Sequence, residues 1–597
     1  MINDTPNGSS ASSFAAQYQD PAYQKAHAKV FFESGTPSIP RLLPPGVSEA
    51  SFNRAIEEFK NVVGTAEVVT GDGLVEYVDP YELNEDGPER KLPSAAVRPQ
   101  SNEELRGVLK IANKYSIPLW TFSRGKNLSY GGPAPRLNGA VSLDLHRMNR
   151  VIEVNEEFSY AVVEPGVSFQ ELFDYCLENK LRVWPSVPSL GWGSVVGNTV
   201  DRGVGYTPTA VHHQNIAGME VMLADGDIIR TGQFAQDGNP SAHLSKFSFG
   251  PSVEGLFLQS NLGVVTKLGI WLSPSPEAYM ACSLDVFEFE DLEALVDLLS
   301  PLRRNGILPN SVWVIDLVER LANFGRRADH YDGEGSIPPH VLKQLQQKYD
   351  LGYWTALWPL QGSKDVVEAH FNTVKRLVEK KLPRARLQGT LYAGDEGVDD
   401  GLLAATKVKG PHGGIFVGVP NLDIVNIMGF MCPKDGSGVA AHMDFSPIMP
   451  SSGKAIMEWA NLTREICESK GLDLCLDFFM HERHVVLVNV LIYNKADKRQ
   501  TKVVGEVVDR LFTVGRERKY PAYRTHINFM DKNAAFFDFN DHAQRRFIET
   551  LKDTLDPKGI LSPGKMGIWP RAFSVYRDHH DDVDVKGLAL PTRCTND

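Results

Sequence analysis

Thr121-Phe-Ser-Arg-Gly-Lys-Asn-Leu-Ser-Tyr-Gly-Gly-Pro-Ala-Pro135 is the stretch from which the fold can be read. It follows Ile117-Pro-Leu-Trp120, an apolar run that reads as a strand entering a turn. Gly125, Gly131 and Gly132 permit positive φ and leave the backbone amides between them bare. Arg124, Lys126, Asn127 and Ser129 add donors and positive charge. Successive amide N–H groups in such a loop make a concave anion site, suited to a pyrophosphate. Tyr130 is large and polar-tipped where a simple turn would use something smaller. Alone, the stretch would pass for a glycine-rich surface turn; the rest of the chain decides otherwise.

A strand-like region at Ala140–Leu145 follows, then Val151–Val154 and Tyr160–Glu164, and a helix over Phe169–Glu178. Upstream, residues 51–63 carry Phe52, Ala55, Ile56, Phe59 and Val62 at helical spacing. Asn102 is expected to cap a helix through Lys114, with Glu103 and Glu104 at its positive end. Asp225-Gly226, between Met219–Ala224 and Asp227–Thr231, suits a primed hairpin turn. Gly255–Leu272 reads as a loop and then a buried strand. Ser273-Pro-Ser-Pro276 is a plausible boundary, beyond which strands, helices and long connections suggest a sheet covered by helices.

At 597 residues the chain exceeds what one core supports, so at least two domains are expected. With 42% hydrophobic and 23% charged residues, the composition is that of a globular protein. A net charge of −12 argues against nucleic acid or an anionic membrane as main partner. The six cysteines form no CxxC pair, so neither a disulfide framework nor a zinc site is indicated, and a reduced cytoplasmic location is expected. No signal peptide, transmembrane run or lipidation box is read.

Several motifs fail on inspection. Gly559-Ile-Leu-Ser-Pro-Gly-Lys565 mimics a nucleotide loop, but Met566 stands where a metal-binding hydroxyl is needed. His481-Glu-Arg-His484 lacks the spacing of a zinc helix and runs into a strand. His212-His213 reads as a local hydrogen-bonding pair. No GxGxxG opens a helix after a strand, which counts against a Rossmann fold. Tyr523-Arg524 could jointly hold an anionic oxygen if they share a pocket.

Taken in order, Ser123–Ala134, Pro185-Ser-Val-Pro-Ser-Leu-Gly-Trp-Gly-Ser194, Gly197-Asn198, Arg202–Pro208, Gly255–Leu272, Ala441-His442, Tyr523–His526 and Pro563-Gly-Lys565 resemble the vanillyl-alcohol oxidase family of 4-phenol-oxidising flavoproteins. The resemblance runs collinearly from about residue 50 to about 575. It implies an α+β protein of two domains: an arm over 1–45, a vanillyl-alcohol-oxidase-type FAD-binding domain over 46–275 completed by 515–597, and an α+β cap over 276–514.

The resemblance further implies an FAD site made by Ser123, Arg124, Gly125, Lys126, Asn127, Leu128, Ser129 and Tyr130. Pro188, Ser189, Leu190, Ser194, Gly197, Asn198, Asp201, Gly203, Gly205 and Tyr206 would continue it. Gly263, Val264, Val265, His442, Arg524 and Lys565 would complete it. His442 falls where the family links flavin covalently.

Tyr130, Tyr523 and Arg524 would bind the substrate phenol as its phenolate, and Ser189 stands where the family has an aspartate beside flavin N5. Leu190 and Asp444 would line the substrate pocket. Asp444 replaces an aromatic residue and either makes that pocket polar or pairs elsewhere. Residues 60–100 lack the histidine that the family uses to activate the flavin-linking histidine. The implied reaction is oxidation of para-substituted phenols with O₂ or a cytochrome-like carrier as acceptor; the implied assembly is a homo-oligomer, with no bound metal.

Overall fold

The computed structural model describes residues 39–83, 90–421, 427–435 and 437–578; the arm before residue 39, Cys594 and the end of the chain lie outside them. A first small sheet takes β1 (Val68–Val69), β2 (Ala95–Val97), β4 (Val141–Asp144) and β3 (Leu119–Phe122) in that spatial order. β4 runs parallel to both β2 and β3. Helices α1 (Glu49–Val63) and α2 (Asn102–Tyr115) cover it, burying Phe52, Ile56 and Phe59 with Leu105, Val108 and Leu109. The cap of α2 is Ser101, whose hydroxyl accepts from the Glu104 amide; Asn102 is the first helical residue and donates instead to Glu220. Ser101 wins because its extended backbone suits the capping position.

The second sheet is antiparallel: β5 (Val151–Asn155), β6 (Tyr160–Val163), β10 (Val264–Trp271), β8 (Ile216–Met222), β9 (Ile228–Arg230). The β8–β9 connection is a hairpin, but not a primed turn. The Gly226 amide donates to Leu223 O at 3.0 Å, and only Gly226 (φ 89°) has positive φ there. A type I turn closed by a left-handed glycine lets Asp225 keep an ordinary conformation. Helix α3 (Phe169–Glu178) opens with a capping box in which Ser168 and Glu171 satisfy each other's amides. β7 (Val183–Trp184) and β11 (Ser273–Pro274) form a short ribbon.

After Pro276 the chain builds a larger antiparallel sheet: β15 (Arg386–Ala393), β12 (Ala278–Val286), β14 (Trp354–Gly362), β13 (Val312–Asp316), β18 (Leu476–Met480), β19 (His484–Asn494), β16 (Ala440–Phe445), with β17 (Ile448–Pro450) also on β19. Helices α4 (Leu292–Arg304), α6 (Lys364–Lys381), α7 (Gly453–Ser469) and α8 (Lys498–Arg518) bury one face, with Val314, Phe478, Leu487, Met443 and Phe445 beneath them. A short helix, α5 (Leu317–Leu321), follows β13 directly. The alternate strand residues, among them Trp313, Ile315 and Phe479, point the other way and pack with the residues of the second sheet. This period-2 division places one side of the large sheet against the first part of the chain.

The chain then returns. Ile560–Ser562 runs beside β3, with Leu119 N donating to Ile560 O at 2.7 Å and Ser562 N to Leu119 O at 2.8 Å. Lys552 anchors this return from a fully buried position, donating to Asn261 O, Leu561 O and Asp556 Oδ2 at 2.6, 2.7 and 2.7 Å. Among the described residues no helix is long and apolar enough to cross a membrane. Cys176, Cys282, Cys432, Cys467 and Cys475 are buried and unpaired.

Candidate active site

The glycine-rich loop has the conformation its composition requires: Gly125, Gly131 and Gly132 all have positive φ (64°, 100°, 53°). With α2's successor strand β3, it walls a cleft of roughly 1280 Å³, part of it open to solvent. Helix 195–200 forms the opposite wall, and Gly197 is placed so that a Cβ would stand 2.2 Å from Ser123 Oγ. The two walls therefore approach more closely than any larger residue allows.

Of the residues the resemblance assigns to the cofactor, Ser123, Arg124, Gly125, Lys126, Asn127 and Tyr130 line the cleft from the loop. Ser194, Gly197, Asn198 and Asp201 line it from the facing wall, and Gly263, Val264, Val265, Arg524 and Lys565 from later segments. Arg124 lends less free charge than its sequence position promises. Its Nε donates to Trp192 O, and Nη1 to Gly166 O and Glu171. Asn198 Oδ1 is engaged by His212 Nδ1 at 2.6 Å, and His212 Nε2 meets Ser186 Oγ at 3.0 Å. His212 thus bonds to Asn198 and Ser186, not to His213, because burial favours neutral imidazole with a partner at each nitrogen; its pKa is pushed down to about 3.

Leu128, Ser129, Pro188, Ser189, Leu190, Gly203, Gly205, Tyr206 and His442 do not line that cleft. Gly203 and Gly205 are glycine for a packing reason: a Cβ would fall 2.1 Å from Asn198 Oδ1 in the first case and 2.4 Å from Ser186 Oγ in the second. Leu128 and Leu190 pack against the core of the large sheet. Ser189 Oγ lies 3.4 Å from Tyr206 OH, and the Tyr206 ring sits among Trp313, Phe416 and Phe479.

At the end of the cleft Tyr130 meets the neighbouring residues Tyr523 and Arg524. The Arg524 guanidinium carbon is 4.2 Å from the Tyr130 ring centroid and 5.6 Å from that of Tyr523. Pro521–Tyr523 runs along residues 446–448 of the large sheet, with Tyr523 N donating to Ser446 O. Arg524 Nη2 donates to Asn127 Oδ1 at 2.5 Å, Asn127 Nδ2 to Asp201 Oδ2 at 3.0 Å, and Arg524 Nε lies 3.6 Å from the same carboxylate. Burial opposes the guanidinium charge, but Tyr523, Tyr130, Asp201 and Asp444 outweigh it, so the arginine is held above its ordinary pKa. Burial, then Tyr523 and Asp444, push the Tyr130 phenol well up, so its hydroxyl stays protonated.

Strand β16 of the large sheet comes close to this cluster. His442 and Asp444 alternate with Ala441, Met443 and Phe445, so they leave the helix-covered core and face the clamp. His442 Nε2 is 3.5 Å from Asp444 Oδ2, its ring meets Tyr81 edge-on at 5.0 Å, and its Nδ1 has no partner among the described residues. Asp444 thus pairs with His442 and stands near enough to Tyr130 and Arg524 to act on both electrostatically.

Sequence reasoning missed Asp477 and Glu319 on the same side of the sheet. Asp477 Oδ2 accepts from Trp313 Nε1 at 2.6 Å while Oδ1 has no partner among the described residues; the same is true of Glu319 Oε2. Burial, against the Trp313 hydrogen bond and with Asp444 nearby, brings Asp477 up to about 7. Isolated carboxyls in apolar strands gave no local signal; only period-2 alternation around Asp477 could have flagged it. His481 Nδ1 meets Ser311 Oγ at 3.0 Å.

The cleft suits a large polar guest. Thr121 Oγ1, Asp201 Oδ1, Asn261 Oδ1, Arg524 Nε and Thr525 Oγ1 are buried without a hydrogen-bond partner among the described residues, and all belong to residues of its lining. Buried polar groups need partners, so a ligand rich in donors and acceptors fits. The FAD binding domain family matches residues 93–232, and the C-terminal domain of FAD linked oxidases matches residues 437–566. The chain is 34% identical to the 4-cresol dehydrogenase [hydroxylating] flavoprotein subunit of Pseudomonas putida, over 88% of this chain and 98% of that protein. The structure is similar to 4-ethylphenol oxidase from Gulosibacter chungangensis in an isoeugenol complex (TM-score 0.82, 33% identity, 89% of this chain and 99% of that one). It is also similar to substrate-bound p-cresol methylhydroxylase (TM-score 0.80, 32% identity, 88% and 99%). With that coverage, the expected two-domain α+β fold and the matched cofactor domain, this chain belongs to the vanillyl-alcohol oxidase/p-cresol methylhydroxylase family of FAD-linked oxidoreductases and uses FAD.

Proposed function

We propose that this enzyme oxidises para-substituted phenols, 4-alkylphenols foremost, by taking hydride from the benzylic carbon of a bound phenolate. The observation that carries the reading is the Arg524 guanidinium close to both the Tyr130 and the Tyr523 ring, at 4.2 and 5.6 Å. A free phenol has a pKa of about 10, so a buried cation and hydroxyl donors are needed to hold its anion near neutrality. Tyr130, held protonated, donates; Tyr523 donates as the second hydroxyl; Arg524 supplies charge, aimed by Asn127 and Asp201. The flavin, when bound, accepts the hydride at N5 and passes the electrons on.

Residues 46–275 with 515–597 form the cofactor-binding body in this reading, and 276–514 the cap whose inner face closes over the phenol. His442 links to the flavin, its partner-free Nδ1 offering the lone pair and Asp444 standing by Nε2. Ser189 and Leu190 border the pocket beside Tyr206. Dioxygen is the proposed acceptor. A protein carrier is the second reading, favoured by the similarity to a dehydrogenase flavoprotein subunit.

Anaerobic mixing with 4-ethylphenol tests the chemistry: the yellow colour bleaches, and Arg524→Ala slows bleaching by about 10²–10³-fold. An unchanged rate in that variant sinks the clamp. Air then separates the acceptors, since prompt return of colour supports dioxygen and persistent bleaching relieved by a dye supports a carrier.

A further inference from the structure

Two glycines of the segment Arg202–Tyr206 pass close to the two ends of one hydrogen-bonded chain. A Cβ on Gly203 would fall 2.1–2.3 Å from the Asn198 amide; one on Gly205 would fall 2.4 Å from Ser186 Oγ and 2.7 Å from His212 Nε2. Neither glycine has positive φ, so space and not backbone conformation demands them. Between them, His212 Nδ1 meets Asn198 Oδ1 at 2.6 Å and His212 Nε2 meets Ser186 Oγ at 3.0 Å. The imidazole is fully buried, its ring 5.7 Å from that of Phe169, in the turn His212–Asn215 that leads into β8. Asn198 lies in helix 195–200 and lines the cofactor cleft, so the chain runs from the interior to the cleft wall.

Donors and acceptors fix the direction of this chain. A neutral imidazole donates from one nitrogen and accepts at the other, whereas a hydroxyl does both. Burial and then His213 keep the ring neutral, pushing its pKa down to about 3. If Nε2 carried the hydrogen, it would donate to Ser186 Oγ, and the serine hydrogen would have no acceptor among the described residues. Ser186 is buried, and a buried unused donor is disfavoured. With the hydrogen on Nδ1 every group is satisfied: Ser186 Oγ donates to Nε2, and Nδ1–H donates to Asn198 Oδ1.

We infer that His212 is a positioning residue for the cofactor: it holds the Asn198 amide with its oxygen turned inward and its NH₂ left to donate to bound FAD. The Asn198 nitrogen makes no hydrogen bond among the described residues. An oxidised isoalloxazine presents carbonyl oxygens and imine nitrogens but a single N–H, and a pyrophosphate presents acceptors alone. The reverse amide orientation would set an acceptor against those acceptors. His212 removes that orientation before the cofactor arrives, which leaves less ordering for binding to accomplish. Gly203 and Gly205 serve the same end, since a side chain at either place would push one end of the chain off its partner. The role depends on FAD alone, whichever phenol or acceptor the enzyme uses.

The test is equilibrium titration of flavin-free protein with FAD, read through the quenching of FAD fluorescence, in a His442→Asn background so that the cofactor exchanges. Asn198→Ala should weaken FAD about tenfold, the effect of one lost hydrogen bond, and His212→Leu by a similar factor. The double variant should bind no more weakly than Asn198→Ala alone, because the histidine acts through the asparagine. Additive losses, the mark of a merely structural histidine, overturn the inference, as does an Asn198→Ala variant that binds like its parent. Should His212→Leu not fold, nitrogen-15 NMR of the histidine-labelled parent holoenzyme decides. The His212 signals, identified by their absence in His212→Gln, should show the hydrogen on Nδ1; a hydrogen on Nε2 overturns the inference.

Discussion

Asn127, in the glycine-rich loop, and Arg524, 397 residues further on, are joined by a 2.5 Å hydrogen bond from Nη2 to Oδ1. One side chain thereby couples the cofactor cleft to the proposed phenol clamp, since Asn127 also donates to Asp201 and thus fixes its own amide orientation. The loop does two jobs: its glycines shape the anion cradle, and its asparagine aims the cation.

Replacing Asn127 by Leu should leave the fold intact and free Arg524 to swing toward Asp201. Hydrogen bonds to charged groups are worth about 1.5–3 kcal/mol, so phenol binding should weaken ~10–100-fold. Titration of the oxidised enzyme with a non-oxidisable phenol, followed through the flavin absorbance, measures it. Unaltered affinity would show that Asn127 does not aim the arginine.

Acid precipitation should carry the yellow colour into the pellet, and His442→Asn should release it to the supernatant. Colour in the supernatant from the parent enzyme removes the covalent link from the account while leaving the clamp untouched. The stake is chemical as well as structural: His442 is the one imidazole facing the clamp with a partner-free nitrogen among the described residues.

The buried pair Asp79–His526 (Oδ2 to Nε2, 2.5 Å) steadies the segment before the clamp. Lys495 and Tyr493 hold the same segment through Pro80 O and Tyr81 O. Burial disfavours the His526 charge, but Asp79 raises its pKa overall; Asp79, despite burial, is lowered by His526. The histidine's contribution is fully present below its unfolded value, ~6.5, and is lost as pH rises through the raised folded one. The aspartate's is present above ~3.9 and is lost as pH falls through its lowered folded value. Asp79→Asn should therefore cost about 3–5 kcal/mol in weak acid, with the gap in melting temperature narrowing toward alkaline pH. A gap constant with pH would contradict the ionic account.

Lys552→Met should be among the most damaging substitutions in the C-terminal return. It strips three acceptors of their donor and leaves Asp556 buried and uncompensated, a loss of about 3–5 kcal/mol. Because Lys552 braces Asn261 and Leu561, both on the cleft, the variant should also shed FAD more readily on gel filtration. Retention and melting temperature equal to the parent's would refute the bracing role.

Local physics was legible from the chain itself. The positive-φ glycines at 125, 131 and 132, the helix over Phe169–Glu178 and the strand after Gly263 follow from properties of neighbouring residues, whereas the grouping of Tyr130 with Tyr523 and Arg524 came from the resemblance to the flavoprotein family. Short-range errors also had short-range causes: Ser101 displaced Asn102 as cap, and the hairpin at Asp225-Gly226 needed one left-handed residue rather than two. What only the tertiary structure decided is which face each strand residue presents and which distant partner it meets. Asp477 became a buried carboxyl bonded to Trp313, Gly203 and Gly205 became packing glycines beside Asn198 and Ser186, and Lys552 became the buttress of the cleft. Those outcomes depend on register between strands and contacts hundreds of residues apart, where the free energy of burying or pairing a polar group is set by neighbours that no local pattern contains.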